Sequence, residues 1–385
     1  MIRALVLLIA AIGTAGATGP APTEFTLNSS CPPGFEETTA GVCELRTLYQ
    51  FYDSLENRGL GGTRTALPPH RDGFTPHQID LGRYLFFDPV LSGDGTLSCA
   101  SCHDPARGLS DGRPRSIGIH GEDAGRAAPT LWNVAFLKRF FWDARASSLE
   151  AQAPGPLYSP HEMGNSPAQL LASLNGNATY RRLFQATFPS DRGPITEQQV
   201  FTALAAFQTS LVSLNSRYDR YVHGYDAALS EREIEGLNVF RSFVARCSEC
   251  HTPPLFTNEQ IAVIGMPEPK GRSFDVGVEA ILHSPKLKGG FKVPTLRNIT
   301  RTAPYSHSGA FTDLRSVVAF YNKGRGNAVP KDMHLYLHWH ISDPKLTDTE
   351  VDRIVDFLGA LTDETFLPQR PATVPSGLAP TQRGE

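Results

Sequence analysis

Cys99-Ala100-Ser101-Cys102-His103 and Cys247-Ser248-Glu249-Cys250-His251 repeat one pattern twice, two thiols three residues apart followed directly by an imidazole. Thiols at that separation can reach the two vinyl groups of one haem from a single turn, and the next residue places its imidazole beneath the iron. A thioredoxin-like pair would lack the histidine. Zinc would need both pairs on one ion and would leave both histidines unexplained. The spacing therefore predicts two covalently attached c-type haems. Cys99, Cys102, Cys247 and Cys250 carry the thioethers, and His103 and His251 each fill one axial position.

Such haems are attached outside the cytoplasm, and the start of the chain agrees. Residues 1–17, MIRALVLLIAAIGTAGA, read as a signal peptide: Arg3, a short apolar run from Ala4 to Ile12, and small residues at Ala15-Gly16-Ala17. The run falls short of the ~20 residues a membrane span needs, and no later segment supplies one. The expected location is the bacterial periplasm. Export permits disulfides. Cys31 and Cys43 bracket a Pro- and Gly-containing loop with no histidine at ligand spacing, so they are expected to pair and pin an N-terminal extension.

The elements that must position these groups are helical. Thr75-Pro76-His77-Gln78 is a capping box with proline at the first helical position, opening a helix toward Leu85. Thr196 with Gln199 opens another, whose Val200, Leu204, Phe207, Leu211 and Leu214 step along one face. Ser230 with Glu233 caps a helix feeding into Cys247. Thr347 with Glu350 caps the last, with Val351, Ile354, Val355, Leu358 and Leu361 facing a core. No β-hairpin series appears.

The 385 residues suggest two or three domains. With 40 % apolar and 19 % charged residues, the composition excludes a disordered chain, a collagen-like repeat and a disulfide-dense mini-scaffold. The net charge of −3 gives no basic excess that would point to nucleic acid. Gly 34 and Pro 30 imply long structured loops between helices. The expected architecture is mainly α, two cytochrome c-like haem domains joined by a hinge near Ser216–Ser230. Its parts are a signal peptide (1–17), an extension with the disulfide (18–67), a peroxide-binding haem domain (68–215), an electron-transfer haem domain (216–365) and a polar, Pro-rich disordered tail (366–385).

LGRYLFFDPVLSGDGTLSCASCHDP, FFWDARASSLEAQAPGPL, LNSRYDRY, GLNVFRS and FKVPTLRNITRTAPYSHSG resemble the bacterial di-haem cytochrome c peroxidase and MauG superfamily, in family order from about residue 70 to residue 362. CPPGFEETTAGVCELRTLYQFYDSL and LHWHI resemble a narrower group, the MbnH-type MauG-like enzymes of methanobactin operons. The resemblance implies that the first haem binds peroxide and the second stores electrons. It places Gln152, Pro156 and Glu162 over the open iron face, where a carboxylate can move the proton that O–O cleavage requires. It places Trp142 between the haems. Glu162 taken alone would be a surface charge, and Trp142 a core aromatic.

Three positions depart from the ordinary peroxidase pattern. Fourteen residues after His307, where those enzymes bring a methionine to the second iron, stands Tyr321, the ligand type of MauG-like enzymes. The alternative is a core Tyr321 with Met333 or Met266 as ligand. His120 lies about one residue from the position of a histidine that blocks the first iron, and reads as a loop histidine. The family's calcium ion would be held by carbonyls near Thr302 and Pro304, but its asparagine falls at Ala127, with Asn133 as a substitute. His334, His338 and His340 read as a surface or haem-edge cluster rather than a metal site, and Trp339 as a candidate surface relay.

The resemblance implies hydrogen peroxide as oxidant, a bis-Fe(IV) state, and a protein substrate, a tryptophan in a copper-binding partner converted to kynurenine. The alternatives are a cytochrome c peroxidase taking electrons from a small donor cytochrome, and a di-haem carrier with no catalysis of its own.

Overall fold

The computed structural model describes residues 25–50, 66–324 and 326–380; the expected signal peptide lies outside them. Each capping box named above forms, at Thr75, Thr196, Ser230 and Thr347. The helices they open, Pro76–Phe87, Glu197–Thr209, Glu231–Phe240 and Asp348–Gly359, pack as two pairs, and each pair frames one core. Between them run short helices, long loops and two small antiparallel sheets, Phe35–Glu37 with Cys43–Leu45 and Ile261–Val263 with Gly290–Lys292. The fold is mainly α.

The two pairs cross in the same way. A Cβ on Gly82 would lie 1.9 Å from the carbonyl oxygen of Ala203 and 2.8 Å from Cβ of Phe207; one on Gly236 would lie 1.9 Å from the carbonyl of Arg353 and 2.8 Å from Cβ of Phe357. Each crossing is a glycine laid on the backbone of a helix that presents a phenylalanine four residues on. Substituting alanine at either glycine forces the helices apart, with an expected loss of about 1–3 kcal/mol or more. The denaturant midpoint should fall at unchanged slope.

The first core gathers Leu81, Leu85, Trp132, Tyr180, Leu204 and Phe207; the second gathers Tyr218, Leu237, Phe240, Phe256, Val351 and Phe357. The expected helical face over Val200–Leu214 is shorter than its periodicity. The helix ends at Thr209, and Leu214 is buried in the second core rather than the first. The chain then enters the segment expected to act as a hinge, and that segment is packed. Asp219, on helix Arg217–Val222, and Arg297 are both fully buried, paired at 2.6 and 2.7 Å. The Arg297 guanidinium also donates to the Pro254 carbonyl, and Tyr49 of the N-terminal extension donates its hydroxyl to Asp219. Burial alone would raise the Asp219 carboxyl; Arg297, with hydrogen bonds from Tyr49 and Ser216, holds it below the usual range.

A charge buried in this way loses about 3–5 kcal/mol when its partner is removed. Asp219→Asn is expected to lose stability on that scale in chemical denaturation at neutral pH. Because the folded carboxyl titrates lower than the unfolded one, its contribution is complete above ~3.9. It fades as pH falls through the lower folded value, so the gap between variant and parent should close in acid.

Cys31 and Cys43 are disulfide-bonded, as expected. The tail is a correction. Its polar, Pro-rich composition cannot build a core of its own, but it docks on one. Val374 is buried in the first core, Ser376 donates its hydroxyl to Asp88 at 2.6 Å, and Asn177 holds the Pro375 carbonyl. Residues 381–385 lie outside the described residues.

Candidate active site

The imidazoles of His103 and His251 are set by a repeat that the sequence reading overlooked. Ala128-Pro129-Thr130-Leu131-Trp132-Asn133 and Val293-Pro294-Thr295-Leu296-Arg297-Asn298 are two copies of one turn. Thr130 Oγ1 donates to the Gly108 carbonyl at 2.7 Å, and Thr295 Oγ1 to that of Leu255 at 2.6 Å. The next residues, Leu109 and Phe256, are left-handed, with φ of 59° and 54°. That conformation aims their carbonyls at His103 Nδ1 (2.9 Å) and His251 Nδ1 (3.1 Å). A carbonyl only accepts, so Nδ1 carries the proton and Nε2 keeps its lone pair for a metal. Burial pushes His103 down, and His251 down to about 4, so both imidazoles are neutral and ready to ligate. With Cys99, Cys102, Cys247 and Cys250 beside them as thiols, these residues fit two c-type haems.

Around the second motif, one apolar cavity is lined by Cys247, Cys250, His251, Tyr321, Met266 and Trp142. Tyr321 lies on helix Leu314–Asn322. Burial raises its phenol first, and the neighbouring Cys250 and Cys247 raise it further, which places its hydroxyl in the field of both thiols. Both Tyr321 and Met266 line this cavity, whereas Met333 does not. Thr302, Pro304 and Ala127 share its wall. Asn133 is not on this wall, and its amide pairs with the Ser213 backbone, accepting from Ser213 N and donating to its carbonyl.

Trp142 stands at the junction of the two halves. Its Nε1 donates to the Ala127 carbonyl at 2.9 Å, its own carbonyl accepts from Lys292 N at 2.8 Å, and its ring meets His307 edge-on at 6.4 Å. The neighbouring Asp143 accepts from Arg126 (2.6 Å) and Arg145 (2.8 Å), while Arg126 also binds Asp275 of the second half at 2.7 Å. This ion network across the junction carried no motif, since its charges are scattered along the sequence.

Around the first motif, Gln152 ends helix Leu149–Gln152 and Pro156 lies on helix Pro154–Tyr158. The chain then turns back, with Glu162 N donating to the Ser159 carbonyl and Met163 N to that of Pro156. Ile119 N donates to the Glu162 carbonyl at 2.8 Å, and a Cβ on Gly118 would sit 2.0 Å from the His161 carbonyl. Glu162 is therefore wedged between two loops. Burial raises its carboxyl above the usual range, against the pull of Arg145. The His120 side chain is 71 % exposed and faces Asp94, turned to solvent as a loop histidine.

Residues 76–227 match the family model for the di-haem cytochrome c peroxidases. The chain is 35 % identical to the methylamine utilization protein MauG of Methylorubrum extorquens, over 79 % of this chain and 84 % of that protein. It is 32 % identical to the cytochrome c551 peroxidase of Nitrosomonas europaea, over 75 % and 82 %. Among solved structures, it superposes on a MauG-like protein associated with microbial copper homeostasis with a TM-score of 0.70 and 32 % identity, covering 78 % of this chain and 95 % of that one. The chain belongs to the di-haem cytochrome c peroxidase and MauG family, and is a haem-dependent, peroxidase-type oxidoreductase. The narrower likeness read from the N-terminal block and LHWHI has its counterpart in the copper-homeostasis structure.

Proposed function

We propose that the chain works in the bacterial periplasm as a MauG-like enzyme, using hydrogen peroxide to oxidise a partner protein, a tryptophan to kynurenine in a copper-binding protein. The observation that carries this reading is Tyr321 beside Cys247 and Cys250, where a phenolate would complete the coordination begun by His251. When bound, the two haems supply the iron centres at which the O–O bond breaks and the two oxidising equivalents are held. Cys99, Cys102 and His103 would hold the first, and Cys247, Cys250, His251 and Tyr321 the second. Glu162 takes a proton from one peroxide oxygen and returns it to the leaving one, while Gln152 and Pro156 shape the pocket that excludes bulk water. Trp142, fixed through Ala127 and Lys292, bridges the halves. A calcium ion held by the Thr302 and Pro304 carbonyls would stiffen the same wall.

Among the described residues, no helix is long and apolar enough to cross a membrane. The second reading is a cytochrome c peroxidase supplied by a donor cytochrome, and Met266 in the same cavity favours it. Peroxide titration of the haem-loaded ferric protein, followed by EPR and Mössbauer spectroscopy, separates the two. Prompt loss of both ferric signals without prior reduction supports the MauG-like reading. A requirement for reduction of one haem supports the peroxidase.

A further inference from the structure

We infer that Trp339 is the port through which oxidising equivalents leave the second haem site for the partner protein. This rests on the MauG-like reading above and adds the point of contact. Of the three tryptophans, Trp132 is buried in the first core, Trp142 is half-buried at the junction, and Trp339 is 67 % exposed. Trp339 is nevertheless not an isolated surface ring. Its indole lies 3.5 Å, centroid to centroid, from the His340 ring, and runs nearly parallel to the His338 ring, 6.1 Å away at an interplanar angle of 21°. His340 lines the cavity that holds Cys250, His251 and Tyr321, and its Nδ1 is buried with no hydrogen-bond partner. His338 N donates to the Val263 carbonyl at 2.8 Å, which ties the segment to strand Ile261–Val263. A path of rings in contact thus runs from the cavity wall through His340 to an indole in solvent.

Among the described residues, Phe243 and Tyr336 do not offer this, and the exposed Tyr225 does not line the cavity. Phe243, though 81 % exposed, has a ring that resists oxidation, and Tyr336 packs on His334, which does not line the cavity. Apolar side chains are also exposed along another stretch that lines the same cavity: Phe243 and the 55 % exposed Val244 run directly into Ala245 and Arg246. The fitting occupant is a protein presenting an electron-rich aromatic side chain on an apolar patch. Each passage moves one electron inward: Trp339 gives an electron to the oxidised site and recovers one from the partner's aromatic. Two passages, with two protons, reduce one hydrogen peroxide to two waters.

The test uses the holoprotein with both haems attached and hydrogen peroxide alone. Without a partner to refill it, Trp339 should gain oxygen in peptide mass maps, and an organic radical should appear by EPR. In Trp339→Phe that signal and that modification should be gone, and the oxidised haem state should persist about tenfold longer. Haem oxidation with Trp339 unmodified, and with decay equal in parent and variant, overturns the inference and leaves the MauG-like reading standing. Haems unchanged by peroxide in their absorbance overturn both.

Discussion

Tyr321→Met raises the potential of the second haem by roughly 0.2–0.4 V, part of the ~0.8 V that axial ligands span. A phenolate is hard and anionic and favours the ferric state and above, whereas a thioether favours ferrous iron. The substitution fits, because methionine is flexible and apolar and Tyr321 lines a mainly apolar cavity. Spectroelectrochemical titration of the holoprotein reads the shift. The variant should also stop reacting with peroxide in the all-ferric state and should accept electrons from a reduced small cytochrome. An unchanged potential would mean that Tyr321 is only a wall of the cavity and that Met266 ligates.

Glu162→Gln slows the reaction with peroxide by about 10²–10⁴-fold, the range general acid–base groups supply. Only the ionised carboxylate can take the peroxide proton. Since burial lifts the Glu162 pKa against the pull of Arg145, the parent rate should climb with pH through a value above the ordinary carboxylate range. The variant, with no group to ionise, should lose that limb and react slowly at every pH. Stopped-flow absorbance across pH 4 to 8 checks both. A variant as fast as the parent would return Glu162 to the status of a loop carboxylate.

The attachment motifs and helix starts were legible because each is local. A capping box needs only four residues, and a C-x-x-C-H motif only five, so neither depends on how the rest of the chain folds. Gln152, Pro156 and Glu162 were named only through the family resemblance; the turn from Ser159 to Met163 brings Met163 N to the Pro156 carbonyl. What escaped the sequence was long-range. Arg297 would pass for a surface charge, yet it is fully buried against Asp219, seventy-eight positions away. The tail's composition said nothing of Asp88, to which Ser376 binds across 288 residues. The duplicated turn at Asn133 and Asn298 was visible in the sequence and went unread, because Trp132 and Arg297 at the same position disguise it.

The ends of the chain are laced through the halves. Asn28 hydrogen-bonds Asp80 in the first half, while Leu45 and Tyr49, later in the same extension, sit in the second core. At the other end Val374 closes the first core after the chain has completed the second. The half made first is therefore finished last. A chain made from its N-terminus therefore supplies Val374, a member of its first core, only after every member of the second.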